Sequence, residues 1–184
     1  ATSLQITVSG DSIKCFGDST RLLVAASGGT GPYAGDTGYF YKRKGTYTFT
    51  VRDNNGCTAS RTITLGEPRE LIASTAYQPI KCFGGTTLVT VSATGGTPIY
   101  NGTVSISLPM GRHCLTVTDA NGCWDSTCIY LTEPSQLSAS NTISSAIKCF
   151  GGTGVVNVTA TGGTIPYTGI GPQTVSTGNY NFTV

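Results

Sequence analysis

The chain has 184 residues, of which 11 are basic and 9 acidic, with a formal net charge of +2. That lacks the clustered basic excess of a nucleic-acid binder, and no apolar run approaches the ~20 residues of a membrane-spanning helix, so neither nucleic-acid binding nor membrane insertion is expected. Seven cysteines in so small a chain point instead to disulfides and an oxidising, extracytoplasmic compartment.

The first landmark along the chain is IKCFGD at 13–18, which returns as IKCFGG at 80–85 and 147–152. Cys15, Cys82 and Cys149 therefore fall at an unvarying interval of 67 residues. Self-similarity at such a period marks a repeat array. A unit of this size buries little of its own surface and needs covalent help. Next comes a run in which Leu22, Val24 and Ala26 alternate with Leu23 and Ala25. The equivalents Val89, Val91, Ala93 and Val156, Val158, Ala160 alternate with polar Thr90, Ser92, Asn157 and Thr159. Period two predicts a half-buried strand. A Gly-Gly-Thr turn follows at 28–30, 95–97 and 162–164, with a tyrosine three residues on at Tyr33, Tyr100 and Tyr167. Tyr47, Phe49 and Val51 then alternate with Thr46, Thr48 and Thr50 to give another strand, and 61–65 another after an Asn-Gly turn. Glu-Pro at 67–68 and 133–134 punctuates the boundaries, because proline cannot donate to a strand ladder. The organisation expected is repeat one at 1–68, repeat two at 69–135 and an incomplete repeat three at 136–184. Each is a small Ig-like antiparallel β-sandwich, so the fold class is all-β. With no signal peptide and no initiating Met, the sequence reads as a mature piece or a fragment of a longer array.

The Cys-Phe-Gly-Gly opening, the ATGGTPIY centre (93–100), the GRHCLTVTDANGC hairpin (111–123) and the Thr-Glu-Pro linker (132–134) occur in fixed order. Together they resemble SprB-type repeats, found in very large surface adhesins of gliding Bacteroidota. The resemblance covers the whole chain. It implies a cell-surface adhesin exported by a type 9 secretion system and carried by the gliding machinery. The chain departs from that pattern at 101–108 and 168–177, which replace the family's usual Trp-containing strand with a shorter segment.

Candidate chemistry is sparse. The turns DNNG (53–56) and DANG (119–122) suggest calcium loops, but calcium takes six or more oxygens and each turn offers one carboxylate and an amide. The aspartate is better read as accepting N–H bonds in its own turn, with glycine supplying positive φ. Lys42, Arg43 and Lys44 form the one charge cluster, a candidate contact for acidic polysaccharide; the matching loops at 109–112 and 176–178 do not preserve it, so a solvated loop tip is expected. His113, the single histidine, aligns with Tyr47 and Tyr180 on the core face. No metal pair of C-x-x-C or Cys/His type, no recurrent carboxylate pair and no nucleophile with a second histidine is present. Neither a cofactor nor catalysis is expected. Trp124 falls on an outward face where a lone aromatic can stack on sugar. Ser12, Ser19 and Ser126 follow aspartate in the Asp-Ser-Ile/Thr pattern that resembles the O-glycosylation signal of proteins exported by these bacteria. Sequons at Asn101, Asn157 and Asn181 matter only in a host with eukaryote-type N-glycosylation.

The cysteines are expected to pair within repeats, Cys15 with Cys57 and Cys82 with Cys123, each joining the start of a unit to its last hairpin. On the chain-entropy model, closing a loop of ~40 residues restricts the unfolded chain by about 4 kcal/mol, comparable to the stability of so small a domain. An extra bridge is expected between Cys114 and Cys128. A two-residue Asn-Gly loop would set Leu115 and Val117 on the opposite face from Ile129 and Leu131. A three-residue loop keeps them together and sets Cys114 opposite Cys128, where repeat one has Thr48 and Thr62. It also leaves Asp125 and Arg61 on the nominal core face, which calls for a projecting hairpin tip or a bulge. Cys149 is expected to lack a partner in this chain, its hairpin cysteine falling near position 190. The functional reading is a spacer within an extracellular, cell-surface filament, in contact with neighbouring repeats and, through the full-length adhesin, with the gliding machinery. The alternative is a carbohydrate-binding module in every repeat, built from exposed tyrosines, Trp124 and the 42–44 cluster. Loops that vary while cysteine, Gly-Gly and tyrosine landmarks persist favour the spacer.

Overall fold

The computed structural model describes residues 2–184, and all regular structure among them is β-strand. In repeat one, β2 (Thr20–Ser27) lies between β1 (Gln5–Gly10) and β4 (Gly38–Lys42), while β5 (Gly45–Arg52) lies between β3 (Ala34–Gly35) and β6 (Thr58–Leu65). All pairings are antiparallel. The period-two pattern sends Leu22 and Val24 of β2 and Phe49 and Val51 of β5 inward, where they meet Ile6 of β1. Phe40, Tyr47, Ile63 and Leu65 pack around that core. On the outward face, threonines of β5 meet hydroxyls of β6 directly opposite: Thr46 with Thr64, Thr48 with Thr62, Thr50 with Ser60, at 2.8–3.1 Å. Each such cross-strand pair contributes about 0.2–1 kcal/mol.

Repeat two follows the same plan. β7 (Ile72–Tyr77), β8 (Thr86–Thr94) and β9 (Ser105–Pro109) form one sheet, and β10 (Gly111–Thr118) pairs with β11 (Trp124–Leu131). A single bridge between Asn101 and Thr118 stands where repeat one has β3. Leu71, Ala73, Val91 and Val117 make the core, flanked by Ala93, Tyr100 and Leu115. The outward threonine pair at 48 and 62 becomes a disulfide between Cys114 and Cys128, whose Cα atoms lie 4.1 Å apart. Asp125 is half-buried and accepts the Ala73 N–H at 2.7 Å, so its inward position is satisfied by the backbone of β7. Arg61 is exposed.

Repeat three contributes one sheet, β12 (Ser138–Ser145), β13 (Gly154–Thr161) and β14 (Gly171–Val175). Residues 178–184 carry no strand pairing. The chain divides into two compact units that do not follow the repeat boundaries. One comprises the residues up to Ser74 with Val91–Val104 and Leu115–Thr127, and the other comprises Thr75–Thr90, Ser105–Cys114 and Cys128–Val184. Repeat two is thus shared, its hairpin tip belonging with repeat one.

Phe49 is buried and packs against Phe40 with ring centroids 5.2 Å apart. Phe49→Ala should therefore cost about 3–5 kcal/mol, read as a lowered urea midpoint with unchanged m-value in a denaturation curve.

Candidate functional site

The turn that closes each complete repeat is a rigid knuckle organised by one carboxylate. In repeat one, Asp53 Oδ1 accepts the N–H groups of Asn55 and Cys57 at 3.0 and 2.8 Å, and Oδ2 accepts that of Thr30 at 3.0 Å. Asn55 Nδ2 donates to Thr30 Oγ1 at 2.9 Å. Repeat two reproduces this with Asp119, Asn121, Cys123 and Thr97, at 2.8–2.9 Å throughout. Gly56 and Gly122 adopt φ of 88° and 84°, which glycine alone takes without strain. The carboxylates are buried, and their oxygens are turned toward amide donors rather than gathered with other carboxylates. Among the described residues no cluster of three or more potential metal ligands occurs.

Hydrogen bonds to the charged form lower a carboxyl pKa. Asp53 is held below the ordinary carboxylate value, chiefly by the Thr30 N–H, with burial opposing and the Cys57 and Asn55 amides adding to the effect. For Asp119 burial is the largest influence and acts upward, but the amides of Thr97, Cys123, Asn121 and Gly122 together outweigh it and the value is lowered.

The knuckle of repeat two docks on the opening loop of repeat one. Cys123 is bonded to Cys15, with Cα atoms 5.7 Å apart, and Asn121 Nδ2 donates to the Lys14 carbonyl at 3.0 Å. Phe16, Glu70, Leu71 and Trp124 surround the bond in a cavity of about 390 Å³. This corrects the expected Cys15–Cys57 and Cys82–Cys123 pairs. Within repeat one, Cys15 sits in the β1–β2 loop, beyond Thr20, whereas the Cys57 knuckle bonds Thr30, beyond Ser27. The eight residues of β2 separate these ends by roughly 26 Å, far beyond disulfide reach. Cys57, Cys82 and Cys149 are free and exposed.

The linker glutamates serve the same end of the repeat. Glu67 Oε2 accepts the Gly17 N–H at 3.0 Å, and Glu133 Oε2 accepts that of Gly84 at 2.8 Å. The linker is thereby tied to the opening loop that carries Cys15 or Cys82.

The remaining candidates are dispersed. Lys42 lies over the Tyr47 ring at 4.9 Å and Lys44 pairs with Glu67 at 3.5 Å, so they are engaged separately, and Arg43 lends its carbonyl to the Tyr47 hydroxyl. His113 Nε2 meets the Pro109 carbonyl at 2.9 Å, the structural part that Tyr47 plays in repeat one. Trp124 is 70% exposed beside the junction. Ser12 and Ser19 are exposed on the β1–β2 loop, and Ser126 is exposed on β11. A grouping not singled out from the sequence is Tyr39 and Tyr41, 62% and 71% exposed on one face of β4, opposite Leu23 and Arg21, with the Arg21 guanidinium over the Tyr39 ring at 4.7 Å. Tyr39, Phe40 and Tyr41 are consecutive aromatics, so the sequence carried no signal of which face is left uncovered.

No protein-family model matches the chain, and no curated protein matches it.

Non-reducing peptide mapping should recover Cys15 linked to Cys123 while Cys57 alkylates freely; a Cys15–Cys57 peptide would contradict the junction. The pH dependence has a defined sign. Because the folded pKa of Asp119 is depressed, its contribution is complete above the unfolded value near 3.8 and disappears as pH falls through the lower folded value. Asp119→Asn should unfold at lower urea than the parent at neutral pH, and the two midpoints should converge as the pH is taken down through that range.

Proposed function

We propose that the chain is a load-bearing spacer, a run of disulfide-stapled β-sandwich repeats from a bacterial cell-surface adhesin that holds a binding element away from the cell for adhesion and gliding. The observation that carries the reading is the Cys15–Cys123 bond, which joins successive repeats rather than closing one. A bond placed there shields the backbone between its ends from tension applied along the chain. Disulfides also fit an oxidising compartment outside the cytoplasm, and among the described residues no helix is long and apolar enough to cross a membrane. The resemblance to SprB-type repeats supplies the adhesin, the type 9 secretion route and the gliding machinery as partner. Ser12, Ser19 and Ser126 are accessible for the O-glycosylation that the same resemblance implies.

A second reading draws on one specific observation. The Tyr39, Tyr41 and Arg21 face of repeat one offers aromatic platforms and a planar cation to a polysaccharide. The positions of Tyr39 and Tyr41 in repeat two are Ser105 and Ser107 of β9. Any such site belongs to repeat one rather than to the array.

Single-molecule stretching tests the spacer. The cysteines are separated by 108 residues, so reduction should add roughly 38 nm of contour length at about 3.5 Å per residue. An extension curve indifferent to reductant would remove the mechanical argument. Retention on immobilised acidic polysaccharide that is lost in Tyr41→Ala would favour the second reading.

A further inference from the structure

The bridge between Cys114 and Cys128 lies within repeat two and takes no part in joining repeats. Both cysteines are exposed on the outward face of the β10–β11 hairpin. Repeat one shows that such a hairpin stands without the bond: Thr48 and Thr62 hold the same place there, joined through their hydroxyls at 2.8 Å. The Cys15–Cys123 bond is the opposite case. Its cysteines are half-buried, and Phe16, Glu70, Leu71 and Trp124 surround it. A disulfide is opened by a thiolate that must reach one of its sulfurs, so access separates the two bonds.

The exposed bridge is also chemically asymmetric. Arg112 Nη2 lies 3.5 Å from Cys128 Sγ. Arg112 shares the outward face with Cys114, because residues two apart on a strand point the same way. The other ionisable groups beside it are engaged elsewhere. His113 meets the Pro109 carbonyl, and the Asp125 carboxylate accepts the Ala73 N–H. The ion pair found among the described residues is Lys44 with Glu67, so no carboxylate competes for the Arg112 guanidinium. A positive charge beside a sulfur stabilises the thiolate that forms when the bond breaks, and a stabilised thiolate leaves faster. Attack is thereby directed to Cys114, with Cys128 as the leaving group.

We propose that the Cys114–Cys128 bridge is a reversible capture site for small thiols that carry a carboxylate. The incoming thiolate attacks Cys114 Sγ and forms a new S–S bond as the old one breaks. The electron pair of the broken bond passes to Cys128, which departs as a thiolate against Arg112. One thiolate is consumed and one is released, so the exchange needs no outside oxidant. Cys128 stays on the neighbouring strand, and its return to Cys114 expels the captured thiol. The uncovered guanidinium supplies the preference for an anionic thiol. The inference rests on repeat two alone and holds whether or not the array is an adhesin.

The test uses the full chain with Cys57, Cys82 and Cys149 first blocked by alkylation, so that only the two disulfides can react. A short exposure to reduced glutathione is quenched with a second alkylating reagent and mapped by peptide mass spectrometry. Glutathione should appear on Cys114 and the second reagent on Cys128, with this bridge consumed ~10-fold or more faster than Cys15–Cys123. In Arg112→Gln the exchange should slow several-fold and the glutathione should divide between Cys114 and Cys128, a change that a merely structural arginine would not produce. The preference for glutathione over cysteamine, which carries an ammonium group and no carboxylate, should fall in the same variant. No adduct on Cys114, equal consumption of the two disulfides, or an Arg112→Gln variant with unaltered regiochemistry and thiol preference would each overturn the proposal.

Discussion

One buried carboxylate in each of the first two repeats is the constraint on which the rest depends. Asp53 and Asp119 each collect amide donors from two places, their own hairpin turn and the Gly-Gly-Thr loop that follows the central strand of the other sheet. That single group fastens the two layers of a sandwich with a small buried core. The loop is prepared for it. The tyrosine that follows each Gly-Gly-Thr, at 33, 100 and 167, donates its hydroxyl to the carbonyl of the first glycine at 2.5–2.7 Å. A Cβ on that glycine would collide with the carbonyl of Ser3, Glu70 or Gln136.

The same carboxylate decides where the cysteines go. By holding the Asn and Cys of the turn against the Gly-Gly-Thr loop, it fixes the knuckle at the end of the sandwich where the chain enters. The linker leaves from the opposite end, held there by Glu67 on Gly17. The next repeat therefore presents its knuckle to the end of the previous one that carries the opening cysteine. Pairing between neighbours follows from strand direction and needs no special sequence at the contact beyond Lys-Cys on one side and Asn-Gly-Cys on the other.

Most of the fold was legible because its signals are local. Alternation at 22–26 and 47–51 gave the inward faces, and the turn residues gave the knuckle. Register arithmetic on the hairpin placed Cys114 opposite Cys128, since a slip of one residue would have turned Val117 and Leu131 to opposite faces. The pairing of Cys15 was misread because spacing within a repeat was treated as proximity. The necessary signal was present: the strand run from Thr20 to Ser27 separates Cys15 from the Gly-Gly-Thr loop, and the knuckle belongs to that loop. The inward position of Asp125 looked like a conflict because its partner is the Ala73 amide, 52 residues away in sequence, and backbone donors leave no trace in composition. The Tyr39 and Tyr41 face went unnoticed because exposure of an aromatic depends on whether a neighbouring layer covers it, which no single strand reveals.

Staggered stapling has a mechanical consequence that pairing within repeats would lack. A disulfide from the start of a repeat to its own hairpin would protect that repeat and leave each linker as the one uncrossed joint, so tension would concentrate there. A bond from the opening loop of one repeat to the knuckle of the next crosses the joint itself, and on the chain-entropy model a loop of this length restricts the unfolded chain by about 4.7 kcal/mol. It also couples the two folds. Opening the hairpin of the second repeat requires releasing the Asp119 carboxylate, and while Cys123 remains bonded the released strand stays tethered to the first repeat and free to return. The added Cys114–Cys128 bridge lies across the same hairpin, further from its tip, so the segment that must open is short and closed at both ends. An array with such bonds at its junctions would open by small reversible steps at the knuckles rather than by the loss of whole domains.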